Sequence, residues 1–534
     1  MSEHLEIERK FDVAAAIPFA SLDGLPGVGT VSDPEVSALD ATYFDTENLT
    51  LLRSGITLRR RTGGSDAGWH LKLPTGSGDR VEHGAPLEQP GAGSNGVPTQ
   101  LIELAKAWVR DHELRPVAAL QTSRTTYRLL DDDGGVLAEA ADDVVTAQAF
   151  PAGPGPDSGA MLSEWREWEI ELVDGPADLV GAAGSLMTKA GATPSPSASK
   201  LERALGDRLS GLPSRPSFNG FSAKSRAGDV VHAHLLEQVD AMLSRDSQAR
   251  QDEPDGVHKM RVATRRLRSA LATFRPLLDR TVTDPLRDEL KWIAGELGGA
   301  RDAEVLRERL LAEISAEPGD LVLGPVSSRI EVELSSDHRK AHDELLVALD
   351  SPRYYRLLDQ LDELVFSPPF TELADGRADK VLTRRVRKAF NRVDRLVAAG
   401  PTALSVVEGG IATGDTVTGG VDQAGRDHWY HEIRKAAKRL RYAGESVEPA
   451  FGSDAENLAE AAEDLQEVLG EHQDSVVARV ALRELGARIH LDGDNAFTIG
   501  RLHALEQARG DKALTEFEAA WAALSNKKLL GWLK

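Results

Sequence analysis

Carboxylates and a lysine alternate with other side chains near the start of the chain, in residues 6–10 (Glu-Ile-Glu-Arg-Lys). Side chains two positions apart on a β-strand point to the same face, so Glu6, Glu8 and Lys10 would share one face. A second set of carboxylates has the same spacing, and it consists of Glu167, Glu169 and Glu171. Two acidic strand faces could converge on a hard divalent cation, which prefers carboxylate oxygens.

Cations alternate in the same way on three further segments. They are Arg59 and Arg61, then His70 and Lys72, then Arg124 and Arg128. If they line the same surface as the glutamates, the result is one cavity with an acidic and a basic wall. Such a cavity suits a polyanion carried with its metal, because guanidinium groups match phosphate oxygens. The alternative is a set of half-solvated sheet faces with their charges outward, which is common in antiparallel sheets.

Histidine and cations recur at helical spacing in the second half of the chain. The block His-x-x-Arg-x-x-x-Arg/Lys-Arg-Leu-Arg occurs twice, and four of its polar positions fall within roughly 80° of one helical face. These positions are His258, Arg261, Arg265 and Arg268 in the first copy, and His431, Arg434, Lys438 and Arg441 in the second. A Leu-Gly-x-x-x-Asp block follows each copy, at residues 297–302 and 469–474. This repetition indicates two related helical halves packed about a pseudo-two-fold axis.

Like charges on one helical face repel by roughly a few tenths of a kcal/mol per pair, and a shared anion would reverse that sign. A solvated basic face paired with nearby glutamates is the alternative. We interpret the two histidines as binding residues, because a histidine on a helical face is more often packed or capping than catalytic. A further basic stretch, residues 384–388 (Arg-Arg-Val-Arg-Lys), could extend the same surface.

Two kinds of element are needed to position these residues. Short alternating segments broken by Gly, Pro and Asp predict antiparallel strands up to about residue 172. The segments are residues 5–11, 56–61, 69–73, 123–129, 135–140 and 165–172. Helices are predicted around residues 99–111 and 176–190. From about residue 230 onward, apolar residues recur at intervals of three and four positions, which predicts an all-helical domain. The predicted division is a β domain over 1–205, a Gly- and Pro-containing linker over 206–221 and a helical domain over 222–534.

Composition bounds the functions that such a chain can have. It has 534 residues, too many for one compact domain, and 41% hydrophobic with 28% charged residues, as in soluble globular proteins. The net charge of −22 argues against nucleic acid or an anionic membrane as a partner of the whole chain, although not against a local basic site. The absence of cysteine excludes disulfides, thiolate metal sites and cysteine nucleophiles. A charged start and no membrane-length apolar run predict a cytoplasmic location.

The residues around the first glutamates resemble a known family. Residues 6–10 resemble the ExExK signature of the CYTH superfamily, the triphosphate tunnel metalloenzymes. Residues 43–46, 52–61, 69–72, 169–172 and 199–200 match further motifs in the family's order. The resemblance covers about residues 3–205 and implies an eight-stranded antiparallel tunnel that binds triphosphate with Mg²⁺ or Mn²⁺ and either hydrolyses it or cyclises ATP.

The resemblance also assigns roles by position. The implied metal ligands are Glu6, Glu8, Glu169 and Glu171, and the implied phosphate-binding residues are Lys10, Arg59, Arg61, Lys72, Arg124 and Lys200. Glu6, Glu8 and Lys10 would take part directly in catalysis. Glu139 is a weaker match for the acidic wall, because residues 141–143 (Ala-Asp-Asp) match the family only loosely, and Arg128 matches less well still.

The helical half resembles the CHAD domain over about residues 222–534, on the two repeated histidine-arginine blocks. This resemblance implies two four-helix bundles that flank a basic groove, with inorganic polyphosphate as its ligand. The eight repeated positions named above would then bind polyphosphate.

Together these observations predict a multidomain α+β protein that hydrolyses the terminal phosphoanhydride of inorganic tripolyphosphate and binds polyphosphate. In-line attack by water needs no protein nucleophile, and no nucleophile-elbow pattern is present. Adenylate cyclase or thiamine triphosphatase activity in the same tunnel, and a non-catalytic polyphosphate-binding adaptor, are the alternatives. Neither nucleic acid nor a membrane is expected as a partner. The sequence leaves open the oligomeric state, the choice between Mg²⁺ and Mn²⁺, and whether the two domains cooperate.

Overall fold

The computed structural model describes residues 2–64, 66–74, 80–88, 94–151, 160–213, 215–324, 326–401 and 423–533, without the side chains of residues 2–6, 80, 94 and 207. The chain divides into two compact units, Met1–Arg215 and Pro216–Lys534.

The first unit is built on one antiparallel sheet, as its alternating segments predict. Its strands are β1 (Ser2–Glu6), β2 (Glu8–Asp12), β3 (Thr30–Val31), β4 (Glu35–Asp45), β5 (Thr57–Thr62), β6 (Gly68–Pro74), β7 (Arg80–Ala85), β8 (Arg115–Leu130), β9 (Val136–Ala149), β10 (Met161–Leu172) and β11 (Thr193–Pro194). Their order in the sheet is β1-β7-β6-β5-β4-β8-β9-β10-β2-β11, with β3 paired to β8.

The sheet is closed by its first segment. Only Ile7 separates β1 from β2, yet β1 pairs with β7 at one end of the order and β2 pairs with β10 near the other. The carbonyl of Ile7 accepts a hydrogen bond from the amide of Leu172, at 2.9 Å. Counting residues 2–12 as one strand, the described part of the sheet has eight long strands and two strands of two residues. The predicted eight-stranded tunnel is therefore confirmed, and closure removes its exposed edges.

Six helices accompany the sheet within the described residues of this unit. They are α1 (Thr50–Arg53), α2 (Thr99–Leu104), α3 (Lys106–Val109), α4 (Asp178–Lys189), α5 (Lys200–Ala204) and α6 (Gly206–Ser210). Helix α4 covers the outer face of β10, where Trp168 and Ile170 are fully buried. Helix α5 packs against the inner face, where Leu201 joins a buried apolar cluster with Leu120 and Trp165. Helix α6 continues the same packing into residues that the sequence assigns to the linker.

The second unit is helical, as predicted. Its helices are α7 (Ala227–Ser244), α8 (Asp246–Arg250), α9 (Gly256–Thr273), α10 (Arg280–Ala316), α11 (Val326–Leu349), α12 (Pro352–Phe366), α13 (Ala378–Ala399), α14 (Gln423–Glu445), α15 (Glu448–Phe451), α16 (Ser453–Leu491), α17 (Phe497–Thr515) and α18 (Phe517–Leu524). None of the described helices combines the length and the hydropathy needed to cross a bilayer.

The repeated blocks lie on equivalent pairs of helices. Helices α9 and α14 carry the two histidine-arginine blocks, and α10 and α16 carry the two Leu-Gly-x-x-x-Asp blocks. Helix α9 packs on α10, α14 packs on α16, and α9 also contacts α14. Met260, Leu267, Ile433 and Leu440 are fully buried on the apolar faces of α9 and α14. The division into two four-helix bundles stays a prediction.

Candidate tunnel site and basic groove

A cavity of about 370 Å³ lies inside the closed sheet. Because side chains alternate along each strand, the residues of β2, β4, β5, β8 and β10 that line it are two positions apart. The charged residues that line it are Glu8, Lys10, Glu35, Arg59, Arg61, Asp66, Lys72, Glu82, Arg124, Arg128, Glu139, Glu169, Glu171 and Lys200. The cavity is therefore lined mainly by ionic groups.

Carboxylates form a row across one wall. Glu8 on β2 pairs in register with Glu171 on β10, and Glu171 pairs in register with Glu139 on β9. Directly opposite residues in neighbouring antiparallel strands have Cβ atoms about 5 Å apart, and like charges there are destabilising. A cation bound between these carboxylates would remove that repulsion.

A lysine lies at the centre of a second, deeper acidic cluster. Asp143, Glu167 and Glu169 are buried, and their carboxylates are close enough together to hold a metal ion. The Nζ atom of Lys200 lies 3.0 Å from Asp143 and 2.6 Å from both Glu167 and Glu169. Lys200 is the first residue of α5, whose N-cap Ser199 accepts a hydrogen bond from the amide of Glu202 at 3.0 Å. The capped helix thus holds an ammonium group among three carboxylates.

Ion pairing outweighs burial at three of the charged groups on this wall. Burial lowers the pKa of Lys200, but the carboxylates around it, Glu169 first, outweigh burial and raise the pKa overall. Burial raises the pKa of Glu169, but Lys10 and the other nearby cations hold it well below the ordinary carboxyl value. Burial also opposes ionisation of Glu8, yet its pKa is lowered, chiefly by Lys10. These groups stay ionised at neutral pH.

Cations dominate the opposite wall. Arg59 and Arg61 on β5 and Lys72 on β6 line the cavity. Burial, with repulsion from Arg59 and Arg124, lowers the pKa of Arg61 to about 9. An anion bound between these guanidinium groups would relieve that repulsion.

Glu82 on β7 is an acid on this basic wall. It lies 3.2 Å from Nζ of Lys72 and 2.5 Å from Nδ1 of His70. Burial raises its pKa, but the hydrogen bond with His70 and the charge of Lys72 lower it far more. Glu82 therefore remains a carboxylate and neutralises part of this wall.

Nine of the ten tunnel residues predicted from the sequence line this single cavity, and they are Glu8, Lys10, Arg59, Arg61, Lys72, Arg124, Glu169, Glu171 and Lys200. The tenth, Glu6, has its backbone in β1 opposite Arg80, and its side chain lies outside the described part of the chain.

The sequence reasoning missed Glu82 and assigned no role to Asp143. Arg124 donates to Asp143 at 2.6 and 2.8 Å, while the adjacent Asp142 points to the other face and accepts from Arg166 at 2.8 Å. The two consecutive aspartates therefore have different roles. The sequence signal that could have identified Glu82 was its alternation with Arg80 in the segment that forms β7.

The helical unit brings four predicted cations together. Arg261 and Arg265 on α9 lie close to Arg434 and Lys438 on α14, and the Nη2 of Arg265 donates to the hydroxyl of Tyr442 at 3.2 Å. Burial first, then repulsion from Arg265 and Arg434, lowers the pKa of Lys438 to about 7. We call these four residues the groove cluster.

The Leu-Gly-x-x-x-Asp blocks support this cluster. A Cβ atom at Gly298 would lie 3.6 Å from the guanidinium of Arg261, and one at Gly470 would lie 3.5 Å from that of Arg434. The two arginines therefore pack closely over equivalent glycines. Arg261 also donates to Asp302 of its block, at 2.7 Å.

The remaining predicted residues of the helical unit have different surroundings. Arg268 lies beside Arg287 of α10, and burial together with that charge lowers its pKa. Arg441 is paired with Glu445 at 2.6 Å and with Glu463 at 2.5 Å.

Burial is the main cause that lowers the pKa of both predicted histidines, His258 and His431. The Nδ1 of His431 lies 3.0 Å from Oε1 of Gln473.

A closed antiparallel tunnel with a charge-divided interior, joined to a helical domain with a cation cluster, defines a class of protein, and the comparisons agree with it. The CYTH domain model matches residues 4–205, and the CHAD domain model matches residues 233–483. "Uncharacterized protein MT2285" and "Uncharacterized protein Rv2226", from two strains of Mycobacterium tuberculosis, are each 38% identical over 530 residues, which is 97% of this chain and 96% of the relative.

Parts of the chain are also similar to solved structures. PptA from Streptomyces chartreusis has a TM-score of 0.44 and 25% identity, covering 56% of this chain and 99% of its own. The CHAD domain from the plant Ricinus communis has a TM-score of 0.43 and 24% identity, and the match covers 59% of this chain and 96% of that one. A putative adenylate cyclase from Bacillus halodurans has a TM-score of 0.24 and 16% identity, and the match covers 38% of this chain and 98% of that one.

The chain belongs to the family of proteins that join a CYTH domain to a CHAD domain. This architecture supports a function in triphosphate and polyphosphate chemistry, with the CYTH domain acting on phosphoanhydrides.

Proposed function

We propose that the first unit is a metal-dependent hydrolase of inorganic tripolyphosphate and that the helical unit binds inorganic polyphosphate. The observation that carries the proposal is the single cavity with a row of carboxylates on one wall and cations on the other. A triphosphate needs cations along its length, and its metal needs carboxylate oxygens.

The carboxylate donors fit a hard divalent cation. Glu8, Glu169 and Glu171 would hold Mg²⁺ or Mn²⁺, with Glu6 as the further ligand predicted from the sequence. When bound, the metal supplies positive charge at the phosphate oxygens and orients a water molecule. Asp143 and Glu167, which share Lys200 with Glu169, would supply further carboxylate oxygens beside this set.

The cations of the chain bind and stabilise the triphosphate. Arg59, Arg61 and Lys72 would contact oxygens of the transferred phosphoryl group, and Lys10, Arg124 and Lys200 would contact the rest of the anion. Fixed donors of this kind stabilise charge as it develops in phosphoryl transfer, without reorganising during the reaction. Water attacks in line with the bond that breaks, and the leaving pyrophosphate takes the electron pair.

The groove cluster is the proposed polyphosphate site of the helical unit, together with Arg268, Arg441 and the two histidines at its repeated positions. Its four cations repel one another at close range, and a polyanion would reverse that repulsion. Binding should weaken with added salt, because ion pairs with the ligand displace condensed counterions.

Phosphate release from tripolyphosphate, measured with Mg²⁺ or Mn²⁺ and again with EDTA, tests the enzymatic proposal. Glu8→Gln with Glu171→Gln should reduce the rate at least about 100-fold, the usual cost of losing a main electrostatic contribution. The control is Glu164→Gln, which removes a carboxylate from an exposed position of β10, the strand that carries Glu171. Equal rates in all three proteins, or cyclic AMP formed from ATP, would contradict the assignment.

Titration of long-chain polyphosphate tests the groove. We expect Arg261→Ala/Arg265→Ala and Arg434→Ala/Lys438→Ala each to weaken binding. Loss in only one of them would restrict the site to one half, and unchanged binding in both would exclude the groove cluster.

A further inference from the structure

Helix α13 presents a row of exposed cations on a face that the repeated blocks do not include. At 100° per residue, five of its cations fall within roughly 100° of one another on the helix. They are Lys380, Arg384, Arg387, Lys388 and Arg395, and all are exposed. Four of them, all except Lys380, line a shallow depression together with Asn391. We call this set of five the α13 stripe.

The stripe has little local neutralisation. Among the described residues, none of its five cations forms a salt bridge, although Asp394 lies in the same depression. Exposed arginines elsewhere in the unit do find acids, as Arg353 does with Glu289 at 2.6 Å. In a chain with 22 more acids than bases, unpaired cations in a row are a local reversal of charge.

Further cations connect the stripe to the groove cluster. Arg392 follows Lys388 by one turn of α13, and its charge, with those of Arg287 and Arg268, adds to burial in lowering the pKa of Arg439 on α14. Arg268 in turn lies close to Arg265 of the groove cluster. Positive charge therefore runs from α13 across α14 and α10 to α9.

We propose that the α13 stripe is a second polyphosphate-binding segment, continuous with the groove cluster, so that a long chain contacts both. The inference rests on the proposed polyphosphate binding of the groove. The stripe suits a polyanion without bases, because single-stranded nucleic acids are usually held by stacking on exposed rings. Phe390, the single aromatic residue of α13 itself, is half-buried and stacks on Trp521.

The experiment measures the affinity of the full chain for labelled long-chain polyphosphate at several salt concentrations, in EDTA to prevent hydrolysis. The test variant is Arg384→Gln/Lys388→Gln/Arg395→Gln, which spares Arg387 because it donates to the carbonyl of Leu533 at 2.5 Å. The control variant, Lys291→Gln/Arg339→Gln/Lys340→Gln, removes the same charge from exposed positions on α10 and α11. The tunnel is the same in every protein, so differences report on the helical unit.

We expect the test variant to bind about tenfold more weakly than the control variant. The slope of log affinity against log salt concentration should also be shallower by about 2 than in the control variant. The test variant loses three phosphate contacts, and each contributes roughly 0.7 to that slope. Equal affinity and slope in the two variants would overturn the inference. If the groove double variants still weaken binding, that result would leave the proposed function intact. A single-stranded oligonucleotide that binds as tightly as polyphosphate, with the same loss in the test variant, would overturn the choice of ligand.

Discussion

The surroundings of Lys438 destabilise its charged ammonium form when no anion is bound. Burial and the neighbouring Arg265 and Arg434 bring its pKa to about 7, so its charge changes within the physiological range. A bound polyanion favours the ammonium form and would restore the proton. Binding at this position is therefore linked to proton uptake.

Polyphosphate affinity should accordingly fall about tenfold between pH 6 and pH 8, because a free protein one pH unit above this pKa must take up a proton to bind. Lys438→Arg should flatten that dependence, and Lys435→Arg, an exposed position on the same helix, should not. Parallel curves for wild type and Lys438→Arg would contradict the prediction.

The two histidines should act at lower pH. Burial lowers the pKa of His258 and His431, so any gain in polyphosphate affinity from charging them should begin below about pH 6.5.

Helix α5 connects the packing of the first unit to its chemistry. Leu201 is buried in the apolar cluster at one end of the tunnel, next to Lys200 among the carboxylates. One turn of helix thus both packs into the apolar cluster and presents an ammonium group to the cavity.

Leu201→Ala should destabilise the first unit by about 3 kcal/mol, the usual cost of a cavity in place of a buried leucine. Leu209→Ala, a half-buried residue of α6 on the same cluster, should cost clearly less. Denaturant unfolding of residues 1–215 measures both. A loss below about 1 kcal/mol for Leu201→Ala would show that the packing of α5 on this cluster contributes little to the stability of the unit.

Helices α10, α16 and α17 enclose a pair of acids that no part of the proposed function uses. Glu313 of α10 lies beside Glu506 of α17, which is fully buried, and Arg309, Arg509 and Glu471 surround them. Burial, and hydrogen bonding with Glu506, raise the pKa of Glu313 to about 8. The pair therefore shares a proton at neutral pH.

This pair should make the helical unit less stable as the pH rises. The native state keeps the proton of Glu313 up to about pH 8, whereas the unfolded chain releases it near 4.5. Between these values the native state binds more protons, so the free energy of unfolding falls with increasing pH. Glu313→Gln should remove this slope in thermal unfolding of residues 216–534, and Glu308→Gln, exposed on the same helix, should retain it. An unchanged slope in Glu313→Gln would place the titration elsewhere.

At the scale of the whole molecule, two units of different architecture carry two different charge arrangements. The first encloses its cations with carboxylates inside a tunnel, and the second displays them on helices of an otherwise acidic chain. The net charge of −22 would disfavour loosely bound polyanions such as nucleic acid.

Residues 222–534 expressed separately should bind long-chain polyphosphate without hydrolysing it, and residues 1–215 should hydrolyse tripolyphosphate without the helical unit. The reason is that each site is built from residues of one compact unit. Binding assays and phosphate release on the separate pieces, with the full chain as reference, check this. Hydrolysis that appears only in the full chain would mean that the two units cooperate.

Local periodicity in the sequence determined which residues share a face. Alternation in β2 and β10 put Glu8, Lys10 and Glu169 on one side of their strands, and the repeated block put Arg261 and Arg265 on one side of α9. Such assignments depend only on the geometry of a single strand or helix, which neighbouring residues already define.

Only the tertiary structure decided which faces meet. The placement of Lys200 against Asp143, of Glu82 on the cationic wall and of Lys438 among arginines of another helix follows from strand register, closure at Ile7 and helix packing. These pairings join segments far apart in the chain, and periodicity carries no information about the partner of a face. Burial, which sets the pKa of Lys438 and Glu313, likewise exists only once the elements have packed.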